Sequence, residues 1–379
     1  MPDLFTETNN LSFGQNIKNS FAGVIFGIIL FLASFVVLWL NEGHSVAQIA
    51  KANYMAKNAI EVSTDIINRD NDNKLIQVSG KAVTNTTLTD DIVTIPNAFA
   101  LSRNVEMYQW QENSQTETKD EVGGSTTETT TYSYEKVWSS ERIDSEDFHK
   151  SGHNNPKFPL QSADYYAESG KLGEYNLTTK QSKAMSDYLG YTSLPPKEEY
   201  KIFESTYYKG YDPENPNIGD IRISYEYVPS GVNISIIGQQ KSDNTISNLK
   251  LKNSSVYLQM DGLNTKEEMI NSFRQDNKFF TNFIRIVGWL LMFIGLNLLI
   301  NPLVTLFKIF PFASSIIGFL TSGLMFLVSL ALSLLTIAIA WFAYRPTLSI
   351  GLIIVICGII YLIKSKVKST PAQIQQEQK

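Results

Sequence analysis

The stretch Phe21–Leu40, FAGVIFGIILFLASFVVLWL, decides how the rest of the chain is read. It runs for 20 residues without a charge, the length of helix that crosses roughly 30 Å of hydrocarbon. Asn41-Glu42-Gly43 follows, with no small-x-small cleavage pattern. The run therefore reads as an uncleaved anchor and not as a removable signal. Gly23-x-x-x-Gly27 has the spacing that lets two membrane helices approach closely, although glycines are common in such helices anyway.

Further apolar runs cover 286–306, 316–341 and 346–363, and from Ile286 to Ile363 the only charges are Lys308 and Arg345. Asn301-Pro302 is expected to interrupt or end the second run, and Pro311 separates it from the third. Arg345-Pro346 makes a short turn, so the third and fourth runs should form an antiparallel hairpin. Lys364, Lys366, Lys368 and Lys379 place the tail 364–379 in the cytoplasm, and four crossings bring segment 1–20, with Lys18, to the same side as a cytoplasmic N-terminal tail. The block 41–285 then lies on the non-cytoplasmic side. Arg274, Lys278 and Arg285 oppose this orientation, but long loops translocate largely regardless of charge.

The whole-chain averages conceal this division. Of 379 residues, 43% are hydrophobic and 18% charged, with a mean hydropathy of -0.10. Segment 42–285 holds 34 of the 37 acidic and 25 of the 32 basic residues, a net charge of −9, while the remainder carries +4. A single soluble domain, a disordered chain and a nucleic-acid binder of the basic-patch kind are excluded. Cys357 is the one cysteine, set in an apolar run. It permits neither an intrachain disulfide nor a thiolate zinc site.

The polar block reads as mainly β. A helix over Ser45–Asn68 is expected to continue from the first span, and strands are expected at Leu75–Gly80, Ile92–Ile95, Val105–Gln111, Tyr132–Trp138, Ile221–Val228, Val232–Gln239 and Ile246–Met260. Ser114–Thr131, rich in Thr and Glu with Gly123-Gly124 near its middle, reads as a mobile hairpin tip. Ser145–Tyr208 reads as irregular and helical insertions. Thr265-x-x-Glu268 has capping-box spacing and opens a helix aimed at the second span, with a hinge at Gly288 as the alternative.

Candidate chemistry is sparse. His149 and His153 are four residues apart, a zinc-binding spacing on a helix. The surrounding Gly152, Asn154, Asn155 and Pro156 oppose a helix, and Lys150 replaces the glutamate of the metalloprotease motif, so the pair is only a weak metal candidate. Asp212-Pro213-Glu214-Asn215-Pro216 has oxygen ligands in the wrong spacing for a calcium loop. No catalytic or cofactor motif emerges, so no cofactor is expected. Gly318, Ser322, Ser329, Ser333, Thr336 and Ala340 share one helical face suited to helix packing, with a polar pathway as the alternative. Asn297 is the one strongly polar group well inside a span and suits an interhelical hydrogen bond.

A series of motifs carries a resemblance. Asn41-Glu42-Gly43 is followed by Arg103-x-Val105-Glu106-Met107-Tyr108-Gln109-Trp110, Tyr132-Ser133-Tyr134 with Trp138, and Gly152-His153-x-Asn155-Pro156. Glu214-Asn215-Pro216 with Gly219-Asp220-x-Arg222, Gly288-Trp289, Gly295-Leu296-Asn297 and Trp341-Phe342-x-Tyr344-Arg345-Pro346 complete it. In this order, over nearly the whole chain, the series resembles the transmembrane protein 43 family, also called LUMA. The resemblance implies four spans with a large loop between the first two. It implies residence in the endoplasmic reticulum and inner nuclear membrane for a eukaryotic host, or the inner membrane for a bacterial one. It also implies a role in organising membrane protein complexes, described in animals with emerin and lamins, and it imports no catalytic residue.

The expected fold is an α+β membrane protein: a four-helix transmembrane part with a large, mainly β extramembrane domain inserted between spans 1 and 2. The expected function is a non-enzymatic scaffold whose partners are the bilayer, other membrane proteins and further copies of itself, with no nucleic acid. A membrane-linked sensor or channel with a ligand-binding β domain is the alternative, and a hydrolase with unidentified carboxylates the third reading.

Overall fold

The computed structural model describes residues 3–252 and 254–345. The expected fourth span 346–363, with Pro346, Cys357 and the tail 364–379, lies outside the described residues. The chain divides into two compact units: residues 3–10, 51–119 and 127–273 form the first, and 11–50, 120–126 and 274–345 the second.

The first unit is built on two sheets. Its strands are β1 (Asp3–Leu11), β2 (Ile60–Val62), β3 (Leu75–Val83), β4 (Ala98–Asp120), β5 (Thr126–Ser139), β6 (Ala163–Tyr166), β7 (Ser169–Leu172), β8 (Tyr175–Thr178), β9 (Leu189–Gly190), β10 (Lys201–Phe203), β11 (Thr206–Lys209), β12 (Ile221–Pro229), β13 (Asn233–Gln240), β14 (Ile246–Ser247) and β15 (Leu258–Asp261). An 8-stranded sheet has the order β1-β5-β4-β12-β11-β10, with β6 on β4 and β9 on β12. A 7-stranded sheet has the order β8-β7-β3-β13-β14, with β15 on β13 and β2 parallel to β3. The two-residue period of β4 aims Val105, Met107 and Gln109 inward. Val105 faces Ile223 and Met107 faces Ile221 across the antiparallel register. Phe99 and Ala100 meet Ile76, Val78, Leu172, Tyr175, Ile234 and Ile236 in one core cluster, and Val105, Met107, Tyr207, Ile221, Ile223 and Tyr225 fill another. In a third, Ala52, Met55, Met269 and Ile270 pack on Leu75, Ile237 and Val256.

Several expectations change. Segment 1–20 is not a tail, because residues 3–11 form β1 and helix α1 (Phe13–Asn58) begins directly after it. The expected Ser45–Asn68 helix stops at Asn58, since Ile60 and Val62 pair with β3 instead. Ile92–Ile95 is strand only at Thr94–Ile95. Ile92 and Val93 donate their N–H groups to the Asp90 carboxylate in a turn. Ile246–Met260 breaks into short strands. Ser114–Thr131 is mostly strand, because β4 and β5 continue to a turn at 121–125.

A short helix, α2 (Thr179–Lys183), follows β8 in the first unit. The second unit holds the first part of α1, most of α3 (Lys266–Leu306) and all of α4 (Pro311–Tyr344). The box at the start of α3 forms: the Glu268 carboxylate accepts from the Thr265 N–H at 2.8 Å and hydroxyl at 2.9 Å. No break occurs at Gly288 or at Pro302, and α3 runs to Leu306; a proline in a membrane helix is tolerated where neighbours satisfy the freed carbonyl. Gly27 and Gly295 let α1 and α3 touch. A Cβ on Gly27 would lie 2.8 Å from Leu298 Cβ, and one on Gly295 would lie 2.8 Å from the Phe31 nitrogen. Asn297 accepts from Ser322 Oγ at 2.8 Å and Trp289 Nε1 donates to Ser329 Oγ at 3.1 Å, tying α3 to α4.

A buried carboxylate joins the three helices. Glu42 is 0% exposed. It accepts from Arg285 Nε at 2.6 Å, from Arg285 Nη2 at 2.9 Å and from Trp341 Nε1 at 2.6 Å. The turn 120–126 packs near the start of α1: Asn16 Nδ2 donates to Gly124 O and Thr126 Oγ1, and Lys308 pairs with Asp120 at 2.9 Å. Residues 120–126, within the block expected on the non-cytoplasmic side, thus contact Asn16 in segment 1–20, expected on the cytoplasmic side.

Replacing Gly27 with Val should lower the unfolding midpoint in detergent by an amount equivalent to roughly 1–3 kcal/mol, as overpacking does. Gly23→Ala, whose Cβ would find its nearest neighbour at 3.7 Å, should leave the midpoint unchanged; equal effects would refute the close crossing at Gly27.

Candidate functional site

The motifs at 103–110, 132–138, 152–156 and 219–222 are far apart in sequence and meet in the first unit. β4 and β5 run side by side, so Tyr108 and Trp138 come to 5.1 Å between ring centroids. Arg222 on β12 lies opposite Glu106 on β4 and donates to it at 2.6 Å, with its guanidinium 4.6 Å from the Trp138 ring. Asn155 clamps β4 from the side: its Oδ1 accepts from the Trp110 N–H at 2.7 Å, and its Nδ2 donates to the Trp110 carbonyl at 2.8 Å. Gly219 has φ +95 and a Cβ there would meet the Pro156 ring at 3.0 Å, so that position needs glycine. Asp220 accepts from the Tyr208 hydroxyl at 2.5 Å and from the Asn217 N–H at 2.8 Å. Burial, then the Asp220 carboxylate, pushes the Tyr208 hydroxyl up.

Arg103 is 6% exposed. Its Nη1 donates to Asp90 at 2.9 Å, its Nε and Nη2 reach the Gln161 carbonyl, and Tyr225 donates to the same carboxylate at 2.8 Å. This makes a closed network in which the acid, the base and the phenol satisfy one another.

The two histidines do not converge on one point. His153 is 5% exposed, stacked on Tyr134 with centroids 4.0 Å apart and edge-on to Trp110 at 4.6 Å. Its Nε2 meets Asp3 on β1 at 2.9 Å. His149 stacks on Tyr132 at 3.7 Å and meets Glu112 at 2.9 Å. No group of three or more metal-ligating side chains occurs among the described residues. Each imidazole instead has its own carboxylate and its own tyrosine, which fastens loop 148–153 to β1, β4 and β5. Glu112 also accepts from the Tyr134 hydroxyl at 2.5 Å, and burial, then Glu112, pushes that phenol up to about 12. Bonds from Lys150 first, then His153, hold the Asp3 carboxyl below its ordinary range. Burial pushes Glu112 up, but bonds from Tyr134 and His149 outweigh it and hold it low.

Sequence reasoning missed Asp3, Asp90 and Glu112. The signal available for Asp90 was its place at the head of an Asx turn, Asp90-Asp91-Ile92-Val93. Asp3 and Glu112 gave none, because their partners come from strand pairing. In the second unit, the small-residue face of α4 is largely enclosed: Ser329 is 0%, Ser333 3%, Thr336 8% and Ala340 0% exposed. Gly318 and Ser322 are half-buried. The hydroxyls of Ser329, Ser333 and Thr336 donate to carbonyls of their own helix.

His153→Ala should lower the unfolding midpoint of the full chain by the equivalent of about 2 kcal/mol, since two ring contacts at roughly 1 kcal/mol each are lost. His149→Ala, at a more exposed ring, should cost less; a larger effect at His149 would refute the assignment. The lowered Asp3 and Glu112 contribute stability that is complete above the ordinary carboxylate range of about 4 and is lost as pH falls through their folded values. Tryptophan fluorescence should therefore report loosening of this cluster on acidification below about pH 4, and a flat profile there would contradict the pairings.

Comparison with known proteins gives one consistent answer. A family model described as Transmembrane protein 43 matches residues 107–346. Transmembrane protein 43 of Rattus norvegicus is 29% identical over 355 residues, covering 88% of this chain and 87% of its own. The Homo sapiens protein of that name is 29% identical over 356 residues with the same coverage. The Drosophila melanogaster homolog is 26% identical over 358 residues, covering 90% and 94%. No solved structure matches.

Proposed function

Because the chain belongs to the transmembrane protein 43 family, we propose that it is a non-enzymatic, multi-pass membrane scaffold that gathers other membrane proteins and further copies of itself. One observation carries this reading. Titratable side chains of the family motifs each have a protein partner, Arg103 with Asp90, Glu106 with Arg222, His153 with Asp3 and Asp220 with Tyr208. That engagement supports a structural role for these residues in holding the strands and loops of the first unit together. Three described helices are long and apolar enough to cross a membrane. The most apolar windows of those helices are only 17%, 17% and 22% buried, which leaves wide faces for lipid or for other helices.

The basic tail supports an orientation with the body of the β unit on the non-cytoplasmic side. The 120–126 turn, packed with Asn16 and Lys308, belongs to the opposite side in this reading.

Two experiments test this. Crosslinking with mass spectrometry on intact membranes should recover a second copy and a reproducible set of membrane proteins; a chain recovered only as a monomer without partners would overturn the scaffold. In a Cys357→Ser background, an impermeant maleimide added from the non-cytoplasmic side should label Lys171→Cys but not Lys18→Cys or Val122→Cys. Labelling of all three would contradict the orientation.

A further inference from the structure

The membrane end of α3 gathers its cations. Arg274, Lys278 and Arg285 are spaced by four and seven residues, which puts them on one face of the helix together with Thr281. That face, with Ser45, Gln48 and Ile49 of α1 and Trp341 and Arg345 at the end of α4, lines a cavity of about 370 Å³. The volume is in the range of small-ligand sites. Four cations line the cavity, and the Glu42 carboxylate, buried under Arg285 and Trp341, contacts its wall. The guanidinium groups of Arg285 and Arg345 both lie 5.6 Å from the Trp341 ring, which fixes them at the cavity wall. Asp276, two residues from Arg274, is half a turn away and is not a lining residue.

The level of this cavity in the bundle identifies what fills it. Phe279, Phe283 and Ile286 on α3 are exposed apolar side chains, as is Leu40 on α1. They mark where hydrocarbon begins. Trp39, near the end of the apolar run within α1, and Tyr344, the last residue of α4, lie 5.6 Å apart, and amphipathic rings of this kind settle at the headgroup layer. The cations therefore sit at headgroup depth, above walls that include Ile49 and the Trp341 ring.

We propose that this cavity binds the phosphate of an anionic phospholipid, held by Arg274, Lys278 and Arg345 with an acyl chain along the helices. The inference needs the helices to cross the bilayer but not the scaffold role. It also explains why α3 carries Arg274 and Lys278 where topogenic charge is not expected: they face the lipid headgroup.

The test uses the full chain in detergent, titrated with dioctanoyl phosphatidylglycerol, dioctanoyl phosphatidylcholine and glycerol 3-phosphate, with bound lipid counted by native mass spectrometry. Phosphatidylglycerol should bind best. An Arg274→Gln/Lys278→Gln variant should weaken it roughly tenfold or more, as the loss of two cations facing an anionic headgroup implies. Both side chains are exposed, so the unfolding midpoint should stay where it is, and Lys241→Gln in the other unit should change nothing. Equal binding of phosphatidylcholine would overturn the site as anion-selective. Binding of glycerol 3-phosphate as tight as the lipid would overturn the lipid as its source. Undiminished binding by the double variant would overturn the residues assigned.

Discussion

A carboxylate buried between three membrane helices governs the second unit. Glu42 has no exposed surface and takes both oxygens into hydrogen bonds, two from Arg285 and one from Trp341. Taking such a charge out of water costs several kcal/mol unless partners repay it, and removing one partner of a buried pair costs roughly 3–5 kcal/mol. The helices α1, α3 and α4 are therefore held at one level, because each supplies one member of the group. The same arrangement turns Trp341 towards Arg345 and sets the wall of the cationic cavity.

Away from that group, the bundle is held by closeness more than by polarity. Gly27 and Gly295 bring two backbones together where any side chain would collide, which is how helices associate in a solvent as apolar as their own surfaces. Asn297 and Trp289 then find hydroxyl partners on α4 at the serines of its small-residue face. In the first unit the solution is the reverse. There the sheets exclude water from Phe99, Tyr175, Tyr207 and Tyr225, and the charged motif residues pair at the margins of that core.

The periodicities legible in the sequence were those that one element settles alone. The apolar run Phe21–Leu40, the alternation through Val105–Gln111 and the Thr265–Glu268 box each carry their own signal, and α1, β4 and the start of α3 follow it. Elements that exist only through a partner stayed hidden. β1 is a short polar segment that becomes a strand because β5 offers it an edge and His153 and Lys150 meet Asp3. The Thr- and Glu-rich arms of the hairpin had no apolar period, and strand pairing alone gives them their form. The histidine pair looked like a metal spacing because spacing does not reveal which carboxylate each ring will face. Asn301-Pro302 read as interrupting or ending the second run, but α3 continues through Pro302 to Leu306.

The central claim, that Glu42 fastens the three helices at the membrane boundary, is tested most directly by the distance between α1 and α4. Spin labels at Leu40→Cys and Phe342→Cys, both exposed positions, would be placed in a Cys357→Ser background and measured by double electron–electron resonance in lipid. The account predicts one narrow distance distribution with Glu42 present and a broad or displaced one for Glu42→Leu. A distribution equally narrow and unmoved in Glu42→Leu would contradict it.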